Sequence, residues 1–463
     1  MPLTNTFLGK AGVQALLRER KKLWFIGIGG VQMSSLALFC RMRGFDVAGS
    51  DTVAGKAVKA LREAGIPVYI GHHPARVAEY DAVIYTLAIS PEDAEYRAAV
   101  GMGFPVLSRA DLLGAVCDSF PARIGVAGSH GKSTVTAMLD AIFAAAGRDP
   151  TTFCGAVLPT GDTARFGKGE ACIFEACEYG NSFLCLSPTV AMVLNTDFDH
   201  ADFFRDKAQL LASFQKFAKG ATTLICEVEN KEMVRAHANA RTFGLTTGDC
   251  HAEDLQYEAG RGCFSLVFKG RTVCKIRLSV PGEHNVKNAL AAALCALDAG
   301  IPADDIAKAL SAFRGAERRM SYRGLFCGAA FFDDYAHHPA EIRASLLTAR
   351  QITPKTGRIF AVFQPHTYTR TKAFFTEFCT ALRLADRVIV ADIYPARETD
   401  TQGMSAALLA QEIGECATFV GGFAKMAHAL REEICPGDTV VVMGAGDIDR
   451  LFGQICANHF TLS

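Results

Sequence analysis

Arg123-Ile-Gly-Val-Ala-Gly-Ser-His-Gly-Lys-Ser133 joins an apolar run to a glycine-rich turn and then to a helical stretch that runs from about Ser133 to Ala146. A strand that enters a helix through such a turn offers backbone amides and the positive end of the helix dipole to an anion. The lysine beside the second glycine reaches a terminal phosphate. Gly128, Ser129, His130, Gly131, Lys132, Ser133 and Thr134 are therefore candidate nucleotide-binding residues, with Lys132 on phosphate. The strict pattern has glycine where this chain has Val126, so the loop is a shortened variant. A chance glycine turn is the alternative, and the strand before the loop and the helix after it argue against that.

Outward from this loop, short apolar runs alternate with longer amphipathic stretches, the pattern of parallel strands joined by crossover helices. The fold class is α/β. Strands are expected at Leu23–Ile26, Phe45–Ala48, Asp81–Tyr85, Ala171–Glu175, Thr189–Leu194, Thr222–Cys226, Ala330–Asp333, Arg358–Phe363, Arg387–Asp392 and Thr439–Met443. A β-rich stretch is expected over about 262–280, followed by two helical runs to about Phe313. At 463 residues the chain exceeds one ordinary core, and breaks near Asp118–Pro121 and Arg314–Arg319 divide it into three domains, 1–120, 121–316 and 317–463.

Lys plus Arg and Asp plus Glu both number 48, so nothing marks a broad polyanion-binding surface, and nucleic acid is excluded as an expected partner. The 16 cysteines form no Cys-x-x-Cys pair. That excludes a spelled-out zinc knuckle or dithiol motif and fits a reduced cytoplasm. With no basic-then-apolar leader and no apolar run of about 18 residues, neither export nor membrane insertion is expected.

Magnesium needs hard oxygen ligands near phosphate; Ser133 supplies a hydroxyl, and Glu175 ends an apolar strand facing the loop. Glu178, three residues on, is the competing acid, and either could instead be a solvated residue past a strand end. Asn195-Thr-Asp-Phe-Asp-His200 follows the next strand, making His200 either a second metal ligand or a structural histidine. Gly27-Ile-Gly-Gly-Val-Gln32 resembles a dinucleotide fingerprint with Asp51 as the acid at the second strand end, but Gln32 replaces its last glycine. It implies a nucleotide diphosphate on a helix N-terminus without specifying which nucleotide. Polar clusters at Pro281–Asn288, Asp333–Pro339 and Gln364–Thr371 complete the set, each readable alone as a cap or turn.

The combination resembles the Mur ligases over about Lys21 to Phe452, and within them the alanine-adding branch. It rests on Gly27-Ile-Gly-Gly30 with Met33-Ser34, the loop 128–133, Glu175 with Glu178, Asp199-His200, His284-Asn285 with Asn288, Arg318-Arg319, Asp333-Asp-Tyr-Ala-His-His-Pro339 and Gln364-Pro-His-Thr-Tyr-Thr-Arg-Thr371, in family order. The resemblance implies a Rossmann-like UDP-sugar domain, a P-loop-type central ATPase domain and a Rossmann-like C-terminal domain for the amino acid. It implies an ATP- and magnesium-dependent ligase in which the lactyl carboxylate of UDP-N-acetylmuramate is phosphorylated and then attacked by the amine of L-alanine. It also implies a monomer or homodimer.

By the same resemblance Ser133, Glu175 and His200 hold magnesium, and His284, Asn285 and Asn288 line the adenine side. Arg318 approaches ATP, and Asp333 or Asp334 holds the ribose. Gly27, Gly29, Gly30, Met33, Ser34 and Asp51 meet the UDP-sugar, and His338, His366 and Arg370 face the amino acid, Arg370 as partner of its carboxylate.

Departures are Ser129 and Ser133 for threonine, Cys177 for aspartate, Gln32 for glycine and Thr367 for arginine. Neither Lys207 nor Lys216 matches a carbamylated position. The rival readings are a ligase that attaches a tripeptide to the same UDP-sugar, a non-catalytic UDP-sugar sensor and a nicotinamide-dependent dehydrogenase. The Gln364-Pro-His segment opposes the first, and Lys132, Ser133 and Glu175 together oppose the other two.

Overall fold

The strand Lys22–Ile26 occupies the middle of a five-stranded sheet ordered Val68–Ile70, Asp46–Asp51, Lys22–Ile26, Ala82–Tyr85, Val106–Ser108, with every pairing parallel. Helices cover such a sheet on both faces, so its central strand is continuously apolar: Leu23, Trp24 and Phe25 are all inaccessible. Lys22–Ile26 pairs on one side with the strand that follows it and on the other with one that comes much later. Strand order thus reverses there, and a crevice opens at the carboxyl ends.

The structure, a computed structural model, describes residues 3–457 apart from Arg397, Thr399, Asp400 and Gln402. The chain forms two compact units, one of Met1–Asp197, Lys207–His251 and Ala291–Ile306, the other of Phe198–Asp206, Ala252–Leu290 and Ala307–Ser463.

The first unit holds a second parallel array centred on Ala122–Ala127, flanked by Val190–Val193 on one side and Ala171–Glu175 on the other. Thr223–Glu227 and Ala240–Gly244 extend it outward on the first side, and Thr151–Phe153 on the second. The strands leading to Glu175 and to the 195–200 segment are therefore not neighbours. The loop-bearing strand runs between them, so Glu175 and the 195–200 segment follow strands on either side of the loop. The helix Lys132–Ala145 begins at the loop and buries most of its length, including Val135, Met138, Leu139 and Ile142.

In the second unit the expected β-rich stretch is an antiparallel hairpin, Arg261–Phe268 with Arg271–Pro281. A six-stranded sheet follows, ordered Ser321–Phe326, Ala329–Asp334, Thr439–Met443, Ile359–Phe363, Arg387–Val390, Ala417–Phe419, antiparallel only in its first pair. Alternate residues feed two cores, as a period of two requires. Ile359, Ala361 and Phe363 pack with Leu346, Phe378 and Leu409 on one face, while Phe360 and Val362 pack with Met426, Leu430 and Leu451 on the other. Among the described residues no helix is long and apolar enough to cross a membrane, and the described cysteines are free thiols.

Candidate active site

The loop is shaped by its glycines and by one asparagine. Gly131 is the residue before the helix and sits at φ 83°, a left-handed conformation that glycine adopts without a Cβ penalty. Asn195 clamps the loop in both directions: its Oδ1 accepts from the His130 amide at 2.9 Å, and its Nδ2 donates to the His130 carbonyl at 3.1 Å. The Ser129 hydroxyl donates to the Asp197 carbonyl at 2.5 Å, and Thr134 is buried in the first turn of the helix.

Lys132 folds back over this loop. Its Nζ donates to the carbonyls of Gly128 and Ser129 at 2.6 and 3.1 Å and lies 3.0 Å from Glu178 Oε2. Burial would lower its pKa, but Glu178 first and then Cys177 and Glu175 outweigh it and hold the ammonium charged. The Ser133 hydroxyl donates to Glu175 Oε2 at 2.7 Å, and the same oxygen accepts from the Gly155 amide at 2.8 Å. The two acids that compete in the sequence thus divide the work, Glu178 holding the lysine and Glu175 the serine.

At the crevice of the five-stranded sheet lies a cavity of about 800 Å³, lined by Gly27, Gly29, Gly30, Met33 and Asp51 from one side of the strand-order reversal and by Thr86, Ala88 and Ile89 from the other. Asp51 Oδ2 accepts from the Gly29 amide at 2.8 Å and so fixes the glycine turn. Ser34 points elsewhere: it is buried, and its hydroxyl donates to the Val31 carbonyl at 3.0 Å. Beneath the cavity Glu95, fully buried, accepts from the Trp24 indole at 3.1 Å, the Ser50 hydroxyl at 2.5 Å and the His73 amide at 2.6 Å. Sequence reasoning passed over Glu95 because nothing local distinguishes it from a solvated helix residue.

The remaining candidates belong to the second unit. Arg318, at φ 56°, donates to the Gly444 carbonyl at 2.7 Å and to Asp333 Oδ1 at 3.4 Å, and its guanidinium lies over Tyr335. Burial raises the pKa of Asp333, opposed by Arg318. Asp334 is pushed up to about 6 by burial, partly offset by the Ser345 hydroxyl, which donates to it at 2.6 Å. Asn285 Nδ2 donates to the Pro281 carbonyl at 2.7 Å, and Asn288 Nδ2 to Asn285 Oδ1 at 3.3 Å. Burial and then Arg319 push His284 down to about 4, so it is neutral at neutral pH.

His338 and Arg370 are engaged with the 198–200 segment. The His338 Nε2–H donates to the Phe198 carbonyl at 3.1 Å, while its Nδ1 accepts from the Ala340 amide at 3.3 Å as the cap of helix Pro339–Ile352. Arg370 Nε and Nη2 donate to Asp199 Oδ1 at 3.2 and 3.0 Å, and its Nη1 to His366 Nδ1 at 3.4 Å. The same Asp199 oxygen accepts from the His200 amide at 2.6 Å. Burial opposes the ionised form of Asp199, yet His200, Arg370, His337 and His338 hold its pKa well below the carboxylate range.

Three family models cover most of the chain: Mur ligase family, catalytic domain over residues 22–121, Mur ligase middle domain over 126–296, and Mur ligase, glutamate ligase domain over 318–446. This chain belongs to the Mur ligase family. It is therefore an ATP-dependent, amide-forming ligase by class. Among its relatives, the UDP-N-acetylmuramate–L-alanine ligase of Acetivibrio thermocellus is 37% identical over 445 residues, 93% of this chain and 94% of that protein. The solved UDP-N-acetylmuramate-alanine ligase of Thermotoga maritima matches with a TM-score of 0.82 at 25% identity, covering 96% of this chain and all of the other. A murein peptide ligase from Psychrobacter arcticus shares the fold with a TM-score of 0.74 at 22% identity.

Proposed function

We propose that this Mur ligase joins L-alanine to the lactyl carboxylate of UDP-N-acetylmuramate at the expense of ATP, with residues 1–120 binding the UDP-sugar, 121–316 the ATP and 317–463 the amino acid. The observation that carries the ATP chemistry is the loop with its two acids, Lys132 on Glu178 and Ser133 on Glu175. Alanine as acceptor is supported by the relatives' activity together with the Gln364-Pro-His-Thr-Tyr-Thr-Arg-Thr371 segment.

In this reading the loop amides and Lys132 hold the terminal phosphates, and the substrate carboxylate attacks the γ-phosphorus as ADP leaves. The acyl phosphate formed carries a good leaving group, and the amine of L-alanine displaces phosphate from it. Magnesium fits the first unit: a hydroxyl and a carboxylate oxygen 2.7 Å apart, at Ser133 and Glu175, are the hard donors it takes. Among the described residues no cluster of three or more His, Cys, Asp or Glu could hold a metal alone, which suits an ion that draws its remaining ligands from phosphate and water. Bound there, it would neutralise phosphate charge. Arg318, Asp333 and His284 to Asn288 are assigned to the nucleotide, and His366, His338 and Arg370 to the amino-acid side.

Phosphate release tests the reading. It should require ATP, magnesium, UDP-N-acetylmuramate and L-alanine together, and release indifferent to the sugar and the amino acid would refute it.

A further inference from the structure

Arg109 is the first residue of helix Arg109–Cys117, which leaves the last strand of the five-stranded sheet with Ser108 as its cap. Its Nη1 donates to the Gln32 amide oxygen. Gln32 directly precedes Met33, which lines the cavity with Gly27, Gly29 and Gly30. The other side of the helix is seated on the chain that follows Glu175 and Glu178: a Cβ built on Gly114 would fall 2.2 Å from the Cys185 carbonyl oxygen, so only glycine lets the backbones approach this closely. The helix therefore holds Arg109 in a fixed relation both to the glycine turn of the cavity and to the acidic end of the ATP site.

Arg109 is half-buried, yet among the described residues no carboxylate pairs with it, and its guanidinium donates to a neutral amide. A guanidinium has five donors, and withdrawing its charge from water without an anionic partner is costly. Burial pulls its pKa down, and Cys177, Cys185 and Glu175 oppose this. The sugar acid has to bring its carboxylate from the cavity to the phosphate held by Lys132, and Arg109 is tied through Gln32 to the residue next to the cavity-lining Met33.

We infer that Arg109 binds the carboxylate of the UDP-linked sugar acid, with Gln32 as the residue that positions it. The inference rests on the ligase reading above. Arg109 holds the attacking group while one carboxylate oxygen forms its bond to the γ-phosphorus. The bond from that phosphorus to the β-phosphate oxygen breaks, ADP takes the electron pair, and no proton moves. Gln32, standing where a dinucleotide fingerprint has glycine, is then the means by which the loop acquires a substrate-orienting arginine.

Titration calorimetry of the full chain with UDP-N-acetylmuramate, with UDP-N-acetylglucosamine, which lacks the lactyl carboxylate, and with UDP provides the test. Arg109→Ala should raise the Kd for the acid about 10- to 100-fold, the loss expected for hydrogen bonds to a charged group, and leave the other two within about twofold. Arg109→Lys should fall between, and Gln32→Ala should shift the acid alone and by less. Equal weakening of both sugars in Arg109→Lys and Gln32→Ala would assign Arg109 to the fold instead, and unchanged affinity for the acid would remove it from the site. Either overturns the inference. Wild-type protein that binds none of the UDP compounds would overturn the ligase reading itself, an outcome separate from these.

Discussion

Glu178→Gln removes the carboxylate from Lys132 while keeping the side chain's shape. The pair is 3.0 Å apart, with Glu178 1% and Lys132 13% exposed, so solvent offers little substitute. Removing one member of a buried ion pair costs about 3–5 kcal/mol because the other charge is stranded. Here Lys132 keeps two carbonyls at 2.6 and 3.1 Å, and Glu175 still acts on it, so the cost falls to about 2–3 kcal/mol. At about 2–4 °C per kcal/mol, the melting transition that ATP shifts in the wild type should fall by roughly 4–12 °C. If Glu178 stands in for a phosphate, saturating magnesium-ATP should supply the missing anion and close more than half of that gap. Differential scanning fluorimetry with and without ATP reads both quantities. A variant that melts like the wild type, or one that ATP stabilises less than the wild type, would refute the stand-in role.

Lys132→Ala, or chelation of magnesium with EDTA, should reduce phosphate release to background in the four-component assay. Arg370→Lys keeps charge but loses the two-nitrogen grip on Asp199. If Arg370 acts by holding the His200 segment, kcat should fall with the KM for L-alanine unchanged; a rise confined to that KM would instead make it the amino acid's carboxylate partner. L-alanine should be preferred over tripeptide in a competition assay, and the reverse preference would overturn the acceptor assignment. Asp334, at about 6 when folded against an ordinary 3.8, binds its proton more tightly in the folded state. Its contribution is therefore full below about pH 4 and lost as pH rises through 6, up to about 3 kcal/mol. Urea melts should show the wild type gaining on Asp334→Asn as pH drops from 7 to 4, and parallel profiles would refute this.

The loop, its strand and its helix were legible because their signals are local: apolar run, glycines, lysine and helical period fall within about two dozen residues. The central strands were legible for the same reason, since burial on both faces leaves a continuous apolar run. Short edge strands were not. Val68–Ile70 and Val106–Ser108 have three residues each, too few to show a period. The second strand reaches Asp51, as its expected strand-end acid requires, through the polar Ser50, whose hydroxyl is satisfied by a carboxylate 45 positions away.

What composition and spacing could not reveal is which charges are balanced. Glu175 and Glu178 are three residues apart and indistinguishable by type, yet one takes a hydroxyl and the other an ammonium, because the strand end turns one toward Ser133 and the other toward Lys132. Gln32 read as a departure that weakened a fingerprint, and nothing local marked Arg109. Only when the helix is seated on the Cys185 carbonyl does the arginine reach Gln32. At position 177 burial pushes the thiol up to about 11, so it is neutral where an aspartate would be ionised. Among the described residues Arg109 has the Gln32 amide and no carboxylate partner, which would leave its guanidinium open to an incoming sugar acid.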